Sequence, residues 1–204
     1  MLSFLWTTRR GKFVVWDALL ASLALRGDER LLDVGCGRGM VLLLAAQRLQ
    51  SGRAVGVDLW STTDQSGNSE QTTLRNAELE GVRDRIELHT ADMRRLPFAD
   101  ASFDVITSSL AIHNIRDAQG REQALAEMLR VLKANGTILI ADILHTDRYF
   151  RYFLHSRTPR RNVAVSAGAF GTADPTPRPQ PLRSGTPVRR SKPHGRTGFG
   201  RNSS

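Results

Sequence analysis

The chain's 204 residues predict an α/β fold built on a doubly wound, mostly parallel sheet. Three observations carry the prediction. Residues 31–39 read Leu-Leu-Asp-Val-Gly-Cys-Gly-Arg-Gly, an apolar run that enters a glycine turn and then a helical pattern. Short apolar runs alternate with helical stripes up to about residue 155, the pattern of strands joined by crossover helices. Acids or hydroxyls end the first four runs, at Asp33, Asp58, Asp92 and Ser108. Such sheets bind ligands beyond the carboxyl ends of their strands, at the switch point of the winding.

Phe13, Val14, Leu19, Leu20 and Leu23 recur near helical spacing, so residues 12–25 read as an amphipathic helix. Residues 30–35 give the first strand, and 39–50 a buried helix broken by Ser51-Gly52. Residues 54–58 form a second strand ending in Asp58, and the polar stretch 59–69 leads to a helix over 70–80 that stops at Gly81. Arg85 to His89 alternates as a third strand, with Asp92 beyond it, and Phe103 to Ser108 makes a fourth. Leu125, Met128, Leu129 and Leu132 stripe a helix over 117–132, and Ala134-Asn135-Gly136 turns the chain into a fifth strand, Thr137 to Ala141.

The glycine spacing excludes one ligand class. A dinucleotide fingerprint needs its third glycine three positions after the second, to seat a pyrophosphate on the helix N-terminus. Here the glycines are Gly35, Gly37 and Gly39, and Met40 stands where that fingerprint wants glycine. Asp33 would also set negative charge beside a phosphate. The loop suits a ligand with a cationic part. Cys36 is the chain's single cysteine, which excludes an internal disulfide and reads as a small residue filling the turn.

The net charge of +9 belongs to one end. Residues 1–146 carry 17 Lys and Arg against 18 Asp and Glu, whereas 147–204 carry 12 against 2. A basic tail is able to neutralise nucleic-acid phosphates, although a solvated tail is the plainer reading. No apolar run reaches membrane-spanning length. The apolar start, Met1 to Trp6, precedes Arg9-Arg10 instead of following charge as a signal peptide does. A cytoplasmic protein is expected. The histidines at 89, 145, 155 and 194 show no metal-ligand spacing, and no metal is expected.

Four ordered motifs resemble the class I S-adenosylmethionine-dependent methyltransferases. They are Asp33-Val-Gly-Cys-Gly-Arg-Gly39, Val55-Gly-Val-Asp58, Ala91-Asp92-Met93 before Leu96-Pro97-Phe98, and Phe103-Asp104-Val-Ile-Thr-Ser108. A fifth, Glu127 to Gly136, resembles the helix and turn ahead of that family's fifth strand. The resemblance covers about residues 28–143 and implies a Rossmann-like fold with S-adenosylmethionine as cofactor and S-adenosylhomocysteine as product. It sets Asp33 to face the cationic amino end of the methionine moiety, directly or through water, with Gly35, Cys36, Gly37 and Gly39 as further cofactor-binding residues. Asp58 would take both ribose hydroxyls as a fork. Asp92 and the Met93 backbone would meet the adenine amino edge. Leu59, Trp60 and Ser108 are carried over as further contacts, with Met93 and Trp60 on the two adenine faces. Plainer alternatives are a local cap for Asp33 and for Asp92, an ordinary strand-end turn residue for Asp58, and packing for Met93 and Trp60.

A sulfonium brings its own leaving group, so the protein must mainly align nucleophile, methyl and sulfur and exclude water. A base is needed only where the acceptor loses a proton. His113 is the candidate, just past the fourth strand, with Asn114 beside it as a substrate contact. Capping or packing by His113, and simple loop termination by Asn114, are the alternatives. The Asn-Pro-Pro-Tyr type of signature for amino methylation of DNA is absent, since Ser108-Ser109-Leu110-Ala111 stands in its place. A small-molecule acceptor is therefore expected.

The C-terminus departs from the pattern. Thr146 to Leu154 begins a helix, but residues 163–204 hold six of the eight prolines, six glycines and seven basic residues against one acid. Such text cannot bury a core. The expected organisation is an N-terminal helical segment over 1–27, a cofactor-binding domain over 28–155, and a disordered basic Pro/Gly/Arg-rich tail over 156–204. The tail would replace the regular final β-hairpin, as a shifted reading frame past about residue 155 in a GC-rich gene would make it do. Two further readings stay open: a catalytically impaired relative that still binds S-adenosylmethionine, and a nucleic-acid binder acting through the tail.

Overall fold

The computed structural model describes residues 2–61, 67–156 and 162–167, with side chains over 11–61, 67–156 and 162–165. Six strands form one parallel sheet in the order β3-β2-β1-β4-β5-β6. The strands are β1 Arg30–Val34, β2 Arg53–Asp58, β3 Ile86–Thr90, β4 Phe103–Ser109, β5 Leu132–Asp142 and β6 Asn162–Ala167. The helices are α1 Leu2–Ser22, α2 Met40–Ala46, α3 Glu70–Leu79, α4 Ala118–Val131 and α5 Thr146–His155. Strand order reverses between β1 and β4, which opens a crevice at their carboxyl ends.

Alternation along the strands splits the core into two layers. Leu31, Val105, Leu139 and Ala141 face one side, where Trp16, Leu19 and Leu20 of α1 pack with Val41 and Ala45 of α2. Leu32, Val34, Val55 and Ile106 face the other, under Leu125 and Met128 of α4 and Tyr149 and Phe153 of α5. A third cluster joins α2 and α3 through Leu42, Leu43 and Ala77. Gly39 starts α2 at φ 89 with no side-chain cap, a conformation that glycine adopts without steric cost. Ser69 starts α3 by accepting from the Thr72 N–H, and Asp117 starts α4 by accepting from the Gly120 N–H. No helix among the described residues is long and apolar enough to cross a membrane.

Two expectations are corrected. The turn at Ala134-Asn135-Gly136 is absorbed into β5: Phe103 pairs with Leu132, Val105 already pairs with Thr137, and Asn135 lies at φ 67. It is a bulge inside a long strand. The second correction concerns the C-terminus. A strand stands where none is expected, β6 pairing Asn162 to Ala167 in parallel with Thr137 to Asp142. Val163 is buried against Tyr149 and Phe153, so this short alternating segment does join the core. That strand overturns a break at about residue 155 and a tail that is irregular from 156 onward. The rest of the expected tail, residues 168–204, lies outside the described residues.

β6 should therefore contribute to stability. Val163→Asp sets an unpaired charge in the α5 layer and is expected to cost about 3 kcal/mol or more in chemical denaturation. A cost near zero would mean that β6 does not pack there.

Candidate active site

The crevice is a cleft of about 1040 Å³ at the carboxyl ends of β1, β2 and β4. α1 contributes Lys12 and Phe13, the glycine turn contributes Gly35 to Arg38, and the segment after β3 contributes Ala91 to Arg94. The turn after β4 adds Ser109 to Ala111 and Asn114.

The glycine turn is braced from three sides. The N–H groups of Gly35 and Cys36 both donate to Val57 O, at 2.8 and 3.1 Å. The Gly37 N–H donates to Asp58 Oδ2 at 2.8 Å. From α3, Thr73 Oγ1 donates to Gly37 O at 2.7 Å and Asn76 Nδ2 to Arg38 O at 2.9 Å. At Gly35, a Cβ would lie 2.3 Å from the Ala111 Cβ, so only glycine lets the turns after β1 and β4 meet. Cys36 is buried and packs with Leu42 and Leu43, and burial pushes its thiol well above the ordinary range. It fills the turn and is no nucleophile.

Asp33 lines the cleft floor and is 2% exposed. Burial raises its carboxyl to about 7, against hydrogen bonds from Thr107 and the Leu42 backbone, with the Asp58 charge pushing the same way as burial. Thr107 Oγ1 donates to Asp33 Oδ1 at 2.8 Å. The bond to Leu42, in the first turn of α2, makes Asp33 a brace for that helix as well as a cleft acid. Asp58 accepts from Trp60 N and Asn68 Nδ2 on Oδ1, at 2.7 and 3.1 Å. Asp92 also lines the cleft, but Arg94 holds it: the Arg94 N–H, Nε and Nη2 all donate to its oxygens, at 2.5 to 3.0 Å. That guanidinium lowers the Asp92 carboxyl.

Several expected contacts are not brought to the cleft. Ser108 is 1% exposed and its hydroxyl donates to Val34 O, so alternation presents Ser109 instead. Gly39 serves the start of α2 and does not line the cleft. The Trp60 indole donates to Thr90 and packs with the α2–α3 cluster, which leaves Leu59 and Met93 lining the cleft. His113 turns away too: its Nδ1–H donates to Asp142 Oδ1 at 2.5 Å, and its backbone N–H to Asp142 Oδ2 at 3.1 Å. Asn114 does line the cleft. The sequence reading missed Asp142, although it ends β5 as Asp58 ends β2, and it missed Asn68, which no spacing marks. Among the described residues no group of three or more His, Cys, Asp and Glu is placed to hold a metal.

With this geometry in hand, the comparisons are decisive for the family. The family described as "Methyltransferase domain" matches residues 32–140, more than half of the chain. The chain belongs to it, and its parallel sheet and strand-end motifs are those of the class I S-adenosylmethionine-dependent methyltransferase family. The ubiquinone/menaquinone biosynthesis C-methyltransferase UbiE of Dinoroseobacter shibae is 36% identical over 129 residues, covering 63% of this chain and 48% of the relative. The demethylmenaquinone methyltransferase of Bacteroides fragilis is 31% identical over 121 residues, covering 59% and 46%. The crystal structure of the YcgJ protein of Bacillus subtilis is 28% identical with a TM-score of 0.52, covering 62% of this chain and 49% of that one. The chain spans about half the length of the curated relatives it matches.

The buried Asp33 gives a signed pH dependence. Its carboxyl titrates near 7 when folded and near 3.8 as a free side chain, so the fold holds a proton that the unfolded chain has released. Stability therefore falls as pH rises from about 4 to 7 and then levels. Asp33→Asn keeps an acceptor for Thr107 and should gain stability over wild type progressively from pH 5 to pH 8 in thermal melts. A constant difference across that range would contradict this account.

Proposed function

We propose that the chain moves the methyl group of S-adenosylmethionine to a small acceptor with an apolar face, bound at the α1 side of the cleft. The observation that carries the reading is the set of acids and glycines at successive strand ends around one cleft. The site chemistry suits this cofactor. A buried carboxyl fits a cationic amino group, Asp58 sits at the end of β2 for a ribose, and Leu59 and Met93 offer apolar surface for a base. A cleft of about 1040 Å³ is at the top of the range for a single ligand, which leaves room for an acceptor beside the cofactor.

S-adenosylmethionine supplies a methyl on a sulfonium that leaves without help from a protein acid. The chain's own task is alignment and dryness. Asp33 meets the ammonium, and a cation there favours its ionised form, so binding releases a proton below about pH 7. Lys12 and Phe13 of α1 and Asn114 border the acceptor side. His113, held by Asp142, stabilises the turn that carries Ala111 and Asn114 instead of acting as a base at the reacting atoms. The names of the quinone-methylating relatives make a demethylated hydroquinone ring the first acceptor to assay. A cytoplasmic location accompanies this reading, while tail-borne nucleic-acid binding would rest on residues outside the described ones.

Isothermal titration should show binding of S-adenosylmethionine and S-adenosylhomocysteine by wild type. Asp58→Ala, confirmed folded by its melting curve, should bind at least about tenfold more weakly. No measurable binding by wild type would remove the reading. Binding without methyl transfer to any hydroquinone would exclude that acceptor class while leaving the cofactor reading in place.

A further inference from the structure

We infer that the carboxyl edge of the sheet docks on an anionic lipid bilayer, with the mouth of the cleft turned toward the lipid. This docking is independent of the cofactor reading. Among the described residues seven large hydrophobic side chains are exposed, and five of them gather at that one edge. Leu59 follows the last residue of β2, and Ile143 and Leu144 follow the last residue of β5. Phe13 and Val14 reach the same edge on α1. Trp16 Nε1 donates to the Ser109 hydroxyl at 2.9 Å, at the last residue of β4, and Lys12 and Phe13 line the cleft. α1 therefore descends from the carboxyl edge, and the part of the helix ahead of Trp16 stands beyond the sheet.

Two features make this rim a bilayer surface. The first is how firmly it is held. Ile143 and Leu144 form a two-residue tip between β5 and α5, fixed at both ends. The Ile143 N–H donates to Asp142 Oδ1 at 2.7 Å, and the His145 carbonyl accepts from the Arg148 and Tyr149 N–H groups at 2.9 and 3.1 Å. The two side chains are 55% and 52% exposed, so their apolar area is held out to the medium. Grouped exposure of this kind marks an interaction surface. The second feature is charge. From Leu2 to Trp16, α1 carries Arg9, Arg10 and Lys12 and no acid. Leu2, Phe4, Leu5 and Trp6 precede those cations on the same helix. Apolar and aromatic residues beside clustered cations suit a helix that lies in a bilayer interface among anionic headgroups. Elsewhere on the rim the charges offset one another: Asp92 pairs with Arg94, and Asp147 is matched in number by Arg148. The excess at this edge is therefore positive. An acceptor dissolved in the bilayer would enter the cleft from the lipid without crossing water.

The test is flotation of the full chain with two kinds of vesicle, phosphatidylcholine alone and phosphatidylcholine with phosphatidylglycerol in equal parts. Wild type should bind the anionic vesicles at least about tenfold more tightly than the neutral ones. Arg9→Gln/Arg10→Gln should weaken that binding about fivefold for each cation removed. Ile143→Glu/Leu144→Glu should weaken it at least about tenfold while keeping the wild-type melting curve. Should that variant fail to fold, Ile143→Ser/Leu144→Ser carries the test. Wild type that ignores anionic vesicles overturns the inference. Vesicle binding that survives unchanged in either variant overturns it too, and survival in both assigns the binding to the basic residues beyond 167. A wild type that is dimeric in sedimentation, and monomeric in Ile143→Glu/Leu144→Glu with vesicle binding unchanged, makes the rim a contact between two copies and also overturns it.

Discussion

One carboxylate ties the site together. Asp58, at the end of β2, accepts N–H groups from three places: the glycine turn after β1, its own strand exit at Trp60, and Asn68 ahead of α3. The glycine turn needs this brace. Its backbone takes positive φ at 73, 50 and 89° through Gly35, Gly37 and Gly39, and glycine gives up more conformational freedom on ordering than any other residue. α3 completes the brace by donating to the carbonyls of Gly37 and Arg38. With most of its backbone groups satisfied within the protein, the turn is preorganised and need not fold around its ligand.

The cleft's electrostatics follow from which acids have partners. Asp92 is neutralised locally by Arg94, and Asp104, away from the cleft, by Lys133. Asp33 has a hydroxyl and a backbone N–H but no cation among the described residues, and it is buried near Asp58, so it holds its proton up to about pH 7. Asp33 is thus an acid that a neighbouring cation would shift toward its ionised form.

Much of the frame was legible because it follows from spacing. The period-2 and helical patterns located the first five strands and all five helices, and the strand-end rule picked out Asp33, Asp58 and Asp92. Side-chain direction was harder to read. Ser108 and Ser109 are adjacent, and a one-residue difference in register decides which faces the cleft. Trp60 and His113 sit in turns, where φ 57 at Trp60 and the bond to Asp142 send the rings elsewhere. β6 was missed because Val163 to Ala167 is a short apolar stretch at the head of Pro/Gly/Arg-rich text, and composition averaged over 163–204 hides it. Asn68 was invisible for another reason: its bond to Asp58 Oδ1 joins the start of α3 to the end of β2, and no spacing along the chain marks it.

The central claim is that the braced turn and Asp58 form a cofactor site already in its working shape. A crystal structure of the chain with S-adenosylhomocysteine tests it most directly. The expected result is the ribose against Asp58, the amino group at Asp33, and a glycine turn displaced by less than about 1 Å, as preorganised sites generally behave. A ligand bound elsewhere, or a turn that must abandon its bonds to Asp58 and Val57 to admit the ligand, would contradict it.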